Sequence, residues 1–175
     1  MKKKQIVDLI IALILILSGS ILLVFPLVKI VNIKFVVILI LSIYCIANLI
    51  QFILTRKDKD YEGLLTSIAS LITIIVALKC NINKVPWQLA LTLFIWIIMM
   101  SLIKLKKADY YNDRKKDIWI LKIITLILFI LTGLLTTVNL YYTEDVQVLV
   151  LGYFFLIHGI LELIDPITIF LIEKK

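Results

Sequence analysis

The sequence predicts an all-α integral membrane protein, a bundle of six transmembrane helices built from three helical hairpins. Three observations predict it. Six apolar runs, each long enough to cross a bilayer, are separated by short polar segments. Lys and Arg gather at the termini and in alternate segments. Small residues recur at a spacing close to that of one helical hairpin. Of the 175 residues 62% are hydrophobic, and the mean hydropathy is +1.09, whereas soluble domains are about 45–50% apolar. A hydrocarbon core about 30 Å thick needs about 20 helical residues to cross it. The runs are continuous, which excludes the two-residue alternation of barrel strands. A helix also satisfies its own backbone hydrogen bonds where there is no water.

Taken in order, the expected spans are 6–28, 34–54, 63–82, 87–105, 118–140 and 146–171. The first follows Met1-Lys2-Lys3-Lys4 and so mimics a secretory signal. Its apolar run is too long for a signal core, and Leu17-Ser18-Gly19-Ser20 lacks an Ala-x-Ala pattern, so it is expected to stay as an anchor. Spans three and four are the shortest. The segment from Lys104 to Asp117, the longest polar stretch at 14 residues, mixes cations with Asp109, Asp113 and Asp117 and reads as a solvated loop. Span six is over-long, and Pro166 is expected to kink or end it. The whole chain, 1–175, reads as a single transmembrane domain.

Fourteen cations (Lys2, Lys3, Lys4, Arg56, Lys57, Lys59, Lys104, Lys106, Lys107, Arg114, Lys115, Lys116, Lys174 and Lys175) fall on one side of the six spans. Four (Lys29, Lys34, Lys79 and Lys84) fall on the other, and Lys122 lies within span five. The excess of cations marks the cytoplasmic side, so both termini are expected there, in the inner or plasma membrane. The net charge of +7 is then a topology signal and a match for anionic inner-leaflet lipid, which is the expected partner, rather than a nucleic-acid footprint.

Each hairpin carries small or polar residues at matching depth. Gly19, Thr73 and Gly133 are separated by 54 and 60 residues; Asn48, Ser101 and Gly159 by 53 and 58. A repeat near 55 residues suits a hairpin plus its connector. Gly19, Ser101, Gly133 and Gly159 are therefore the expected helix-packing positions, since small residues let helices approach closely in lipid. The run Ser18-Gly19-Ser20-Ile21-Leu22-Leu23-Val24-Phe25-Pro26, the triplicated hairpin and His158-Gly159-Ile160-Leu161-Glu162-Leu163 resemble the HdeD-like acid-resistance membrane proteins. Asn48 and Ser101 stand where that family usually has Gly, and its early tryptophans are absent. The resemblance implies a small bacterial inner-membrane protein linked to stress, with no catalytic residue to carry over.

Charges inside a membrane helix cost about 2.5–3.5 kcal/mol each on insertion scales, so each is a functional candidate. His158, Glu162 and Asp165 are four and three residues apart and form one stripe on span six. Asp8, Asn48, Gln51 and Lys122 are expected at a similar level, with Lys122 paired to Glu162 because their spans adjoin. This cluster has two readings, a protonatable site or a structural set of pairs pinning the bundle, and the structural one is favoured. One His and two carboxylates on a single helix make an incomplete metal site, so neither metal nor cofactor is expected. Cys45 and Cys80 sit at different depths, too far apart for a disulfide. No nucleophile elbow, phosphate loop or dinucleotide fingerprint occurs, so no enzyme is expected.

The leading expectation is a non-enzymatic multi-pass protein in acid or envelope stress, contacting other membrane proteins or a second copy of itself. Two alternatives are kept. One is a small-molecule transport subunit resembling the substrate-binding component of energy-coupling-factor transporters, with Trp96, Tyr153 and Phe154 as lining groups. The other is an immunity or accessory protein.

Overall fold

The computed structural model describes residues 3–24, 32–56, 60–113, 118–142 and 146–173. They form α1 (Lys3–Val24), α2 (Ile33–Thr55), α3 (Glu62–Lys79), α4 (Pro86–Asp113), α5 (Ile118–Tyr142) and α6 (Gln147–Glu173). All six are long and apolar enough to cross a membrane. Residues 25–28, expected at the end of the first span, lie outside the described residues.

Two ends differ from expectation. Helix α4 does not stop near 105 but continues to Asp113, so Lys107 belongs to the same helix as Lys104 and not to a loop. Between Trp87 and Asp113 there is no Gly or Pro, and Leu, Lys and Ala are good helix formers, so charge alone does not end it. Helix α6 runs through Pro166 to Glu173. Proline removes one backbone donor, the one that would reach Glu162, a loss that packed membrane-type helices tolerate.

Helix starts follow their caps. Asn32 accepts a hydrogen bond from Phe35 N at 3.1 Å and so caps α2. Asp60 accepts from Glu62 N at 3.1 Å at the start of α3. Pro86 opens α4, where a missing N–H costs nothing. Lys34 Nζ donates to the carbonyls of Leu78 and Cys80, both at 2.8 Å, satisfying acceptors left over at the end of α3.

Each helix touches its neighbours in sequence, and α1 against α6 closes the ring. Packing alternates around that ring: α1·α6, α2·α3 and α4·α5 are extensive, while α1·α2, α3·α4 and α5·α6 are slighter. Helices α1 and α6 approach backbone to backbone. A Cβ added at Gly159 would lie 2.7 Å from Ile16 N, and one at Gly19 would lie 2.7 Å from Gly152 O. The atoms nearest a Cβ at Gly133 belong to the Ile97 side chain, and Ser101 Oγ donates to Ile97 O on its own helix at 2.7 Å. Gly63 abuts the backbone of α2 at Asn48 and Phe52.

The outer surface is apolar. Along α1 the exposed residues are Ile6, Ile10, Leu13, Leu17, Ile21 and Val24, and the other helices carry similar stripes. A soluble monomer does not expose such faces on every side. The buried hydroxyls of Ser70 and Thr73 donate to carbonyls four residues back, as polar groups in an apolar setting must. Cys45 and Cys80 are free thiols, and Cys45 Sγ lies 3.3 Å from Ser67 Oγ.

Candidate functional site

The starts of α1, α3 and α5 and the ends of α2, α4 and α6 meet at one end of the ring, here termed the basic end. Side chains there form layers. Outermost, Lys4 pairs with Asp60 and lies 3.2 Å from Glu62. Lys107 bridges Glu62 at 2.5 Å and Asp165 at 3.1 Å, and Lys122 completes the chain on Asp165. Five helices thus share one run of ion pairs. Lys122 also faces the Tyr111 ring at 5.7 Å.

About one turn deeper, Lys104 Nζ binds Glu162 at 2.5 Å and lies 5.3 Å from the centre of the Phe129 ring. Asp8 on α1 accepts from Gln51 Nε2 on α2. Asn48 donates to Tyr44 O at 2.8 Å, inside its own helix. A cavity of about 20 Å³, space for about one water, lies among these groups and is bordered by Asp8, Asn48, Gln51, Glu62, Lys104 and Lys107.

The next turn ends the polar zone. His158 is fully buried and sits among Phe129, Trp96, Tyr44 and Phe154, with ring centres 4.8, 5.3, 6.0 and 6.1 Å away. Its Nε2 is 3.8 Å from Glu162 Oε1, too long for a hydrogen bond. Trp96 Nε1 donates to Ser70 Oγ at 3.3 Å. This aromatic layer, continued by Phe155, separates the charged end from a remainder whose buried polar residues, Thr73, Thr92, Thr136 and Gln147 among them, are uncharged.

His158, Glu162, Asp165, Lys122, Asp8 and Asn48, the residues expected in one cluster, do converge here. The expected pair of Lys122 with Glu162 does not form. Lys122 binds Asp165 instead, and Glu162 takes Lys104. The reason is axial level. Helices α5 and α6 run in opposite directions, so a lysine near the start of α5 lies level with the later carboxylate of α6.

Sequence reasoning missed Lys104 and Lys107 as members because the first falls at the edge of the expected span 87–105 and the second beyond it, in the expected loop. Lys104 lies four residues after Met100 and Lys107 three after Lys104, on the face of buried Trp96, and that spacing was the available signal. Glu62 and Lys4 were missed because each lies at a span boundary, where solvation is the ordinary reading. Gly152, seven residues before Gly159 on the same face, was missed as a packing position.

Among the described residues no group of three His, Cys, Asp or Glu side chains is placed to hold a metal ion. The fold and site together define a class, a ring of six helices each apolar enough to span a membrane, cross-linked by ion pairs at one end. No protein-family model, curated protein or solved structure matches the chain.

Proposed function

We propose that the chain is a multi-pass protein of the inner or plasma membrane, with both termini cytoplasmic, built from three two-helix repeats. In this reading it acts without catalysis, as an HdeD-like component of the response to acid or envelope stress, through contacts with membrane partners. The observation that carries it is the ion-paired basic end. Charges that would be costly in lipid are spent on one another and join α1, α3, α4, α5 and α6. The alternation of extensive and slight interfaces supports three equivalent repeats, each contributing one helix to the tight contact on either side.

The cavity bears on transport as an alternative. At about 20 Å³ it has no room for a solute larger than a water. Trp96 and Phe154, candidate lining groups, are buried in the aromatic layer, and Tyr153 is 59% exposed on the outer face. This weighs toward a contact role.

Two outcomes test the proposal. In a background without Cys45 and Cys80, a cysteine at Asn83 is expected to react with a membrane-impermeant thiol reagent in intact cells. One at Asp113 is expected to react only after lysis, and the reverse pattern removes the orientation. Deletion of the gene is expected to lower survival at low external pH, with recovery on complementation. The Glu162→Gln variant is expected to restore survival in proportion to the folded protein it yields. Normal amounts with no recovery would instead assign Glu162 a protonation role.

A further inference from the structure

His158 is fully buried, and neither of its ring nitrogens has a hydrogen-bond partner. A neutral imidazole carries one donor and one acceptor, so both stand unsatisfied, a state that buried polar groups rarely keep. The surroundings suit the charged ring. The centres of Phe129, Trp96, Tyr44 and Phe154 lie 4.8 to 6.1 Å away, about the range over which aromatic faces attract a cation. Glu162 Oε1 is 3.8 Å from His158 Nε2.

That oxygen already has a partner. Lys104 Nζ binds Glu162 Oε1 at 2.5 Å, so a lysine of α4 and the histidine of α6 face one acceptor. Glu162 and Lys104 are the charged groups that act on His158. The other titratable groups of the zone are neutral or engaged elsewhere. Tyr44 on α2 meets the ring as a phenol, and α5 meets it with Phe129. Asp8 on α1 accepts from Gln51, Lys122 on α5 binds Asp165, and Lys107 on α4 bridges Glu62 and Asp165. We propose that His158 is a proton-binding site whose imidazolium takes Glu162 from Lys104, so that acidification loosens the tie between α4 and α6.

The movement required is small. Closing 3.8 Å to a charge-assisted hydrogen bond of about 2.8 Å takes about 1 Å. Pro166 removes the backbone donor that would reach the Glu162 carbonyl, which leaves this turn of α6 freer to make it. A route for the proton is present as well. The Glu162 side chain keeps 17% exposure and borders the water-sized cavity at the basic end, so it can hand a proton on to Nε2. The added charge is also tolerated. Among the described side chains the ion pairs join Lys4, Lys104, Lys107 and Lys122 to Asp60, Glu62, Glu162 and Asp165, while Asp8 beside them takes only a neutral amide. Competition for one oxygen is reciprocal: whatever tightens Lys104 on Glu162 weakens the proton on His158.

The test uses the full chain in detergent, isotope-labelled in its single histidine and purified without a histidine tag. Ring-nitrogen NMR shifts are followed from about pH 8 to 4, with helix content read in parallel by circular dichroism. The ring is expected to change from neutral to charged while the helices persist. Glu162→Gln is expected to lower the midpoint by about one pH unit or more, a tenfold loss of proton affinity. Lys104→Met is expected to raise it by about as much, and Lys106→Met, exposed on the same helix, to leave it in place. If Glu162→Gln does not fold, the opposite shift in Lys104→Met carries the test. A ring that stays neutral throughout, or that charges only as the helices melt, overturns the proposal. So does a midpoint that Glu162→Gln or Lys104→Met leaves unmoved. The readout is on purified protein, so survival at low pH, which tests the stress role, does not enter it.

Discussion

Gly19→Leu is expected to destabilise the protein by about 3 kcal/mol or more, the upper range for overpacking a close interface. The cost arises because a Cβ at this position would lie 2.7 Å from Gly152 O and 2.8 Å from the Leu156 Cα. Those are backbone atoms and cannot rotate away. The two helices would have to separate along their length, losing the contacts of Ala12, Ile16, Gly152 and Gly159 as well. Gly19→Ala already introduces the clashing atom and is expected to cost about 1–3 kcal/mol. Gly133→Ala is the informative control. There the three atoms nearest the new one all belong to the Ile97 side chain, with Cγ2 at 2.9 Å, so a side chain and not a backbone must give, and alanine is favoured over glycine in a helix by up to about 1 kcal/mol. Ile97 is buried and stiff at χ1, so its shift offsets that gain, and the net loss at Gly133 is expected to be about 1 kcal/mol, below that at Gly19. Unfolding in detergent, followed by circular dichroism, measures all three. Equal losses at Gly19 and Gly133 would show that the α1·α6 approach is no closer than α4·α5.

The contrast between these glycines also shows what the residues alone could and could not reveal. Gly19, Gly133 and Gly159 were legible as packing positions, but their unequal tightness was not. Spacing locates a residue along a helix axis, at about 1.5 Å per residue, whereas rotation about the axis must be read from an apolar–polar contrast. These helices lack that contrast: α1 shows Ile and Leu both outward, as at Ile10 and Leu17, and inward, as at Ile11 and Leu15. The spans were therefore readable from hydropathy, and so was the convergence of His158, Glu162, Asp165 and Asp8 at one end of the bundle. Which lysine meets which carboxylate was not readable, because that depends on rotation and on the ends of neighbouring helices. Lys104 and Lys107 show the same limit from another side. Composition marks their stretch as a loop, yet α4, unbroken by Gly or Pro after Pro86, continues through both on the face that buries Trp96.

Breaking the Lys104–Glu162 pair from one side is expected to cost about 3 kcal/mol, while removing both partners is expected to cost far less. In Lys104→Met the nearest remaining partner of the Glu162 carboxylate is the His158 ring, 3.8 Å from it and without a hydrogen bond, with Lys107 acting on it only at longer range. A buried charge stripped of its partner costs about 3–5 kcal/mol. The side chains here retain 15% and 17% exposure, which places the expectation at the lower end of that range. Glu162→Met should be milder. The Lys104 ammonium still faces the Phe129 ring at 5.3 Å, an attraction of about 1–2 kcal/mol when desolvated, and its long stem lets the head reach toward the basic end. In the double variant no charge is left alone, and two methionines can fill the space, so stability near or above the parent is expected. The coupling between the two sites should then be about 2 kcal/mol or more, obtained from the four unfolding curves of the cycle. Additive losses would mean that the pair is solvated and does not hold α4 to α6. Lys106→Met is the internal standard: Lys106 is exposed on the same stretch of α4, and its replacement should change stability by no more than about 0.5 kcal/mol. If the double variant folds with parental stability but loses survival at low pH, the pair serves the function and not the fold.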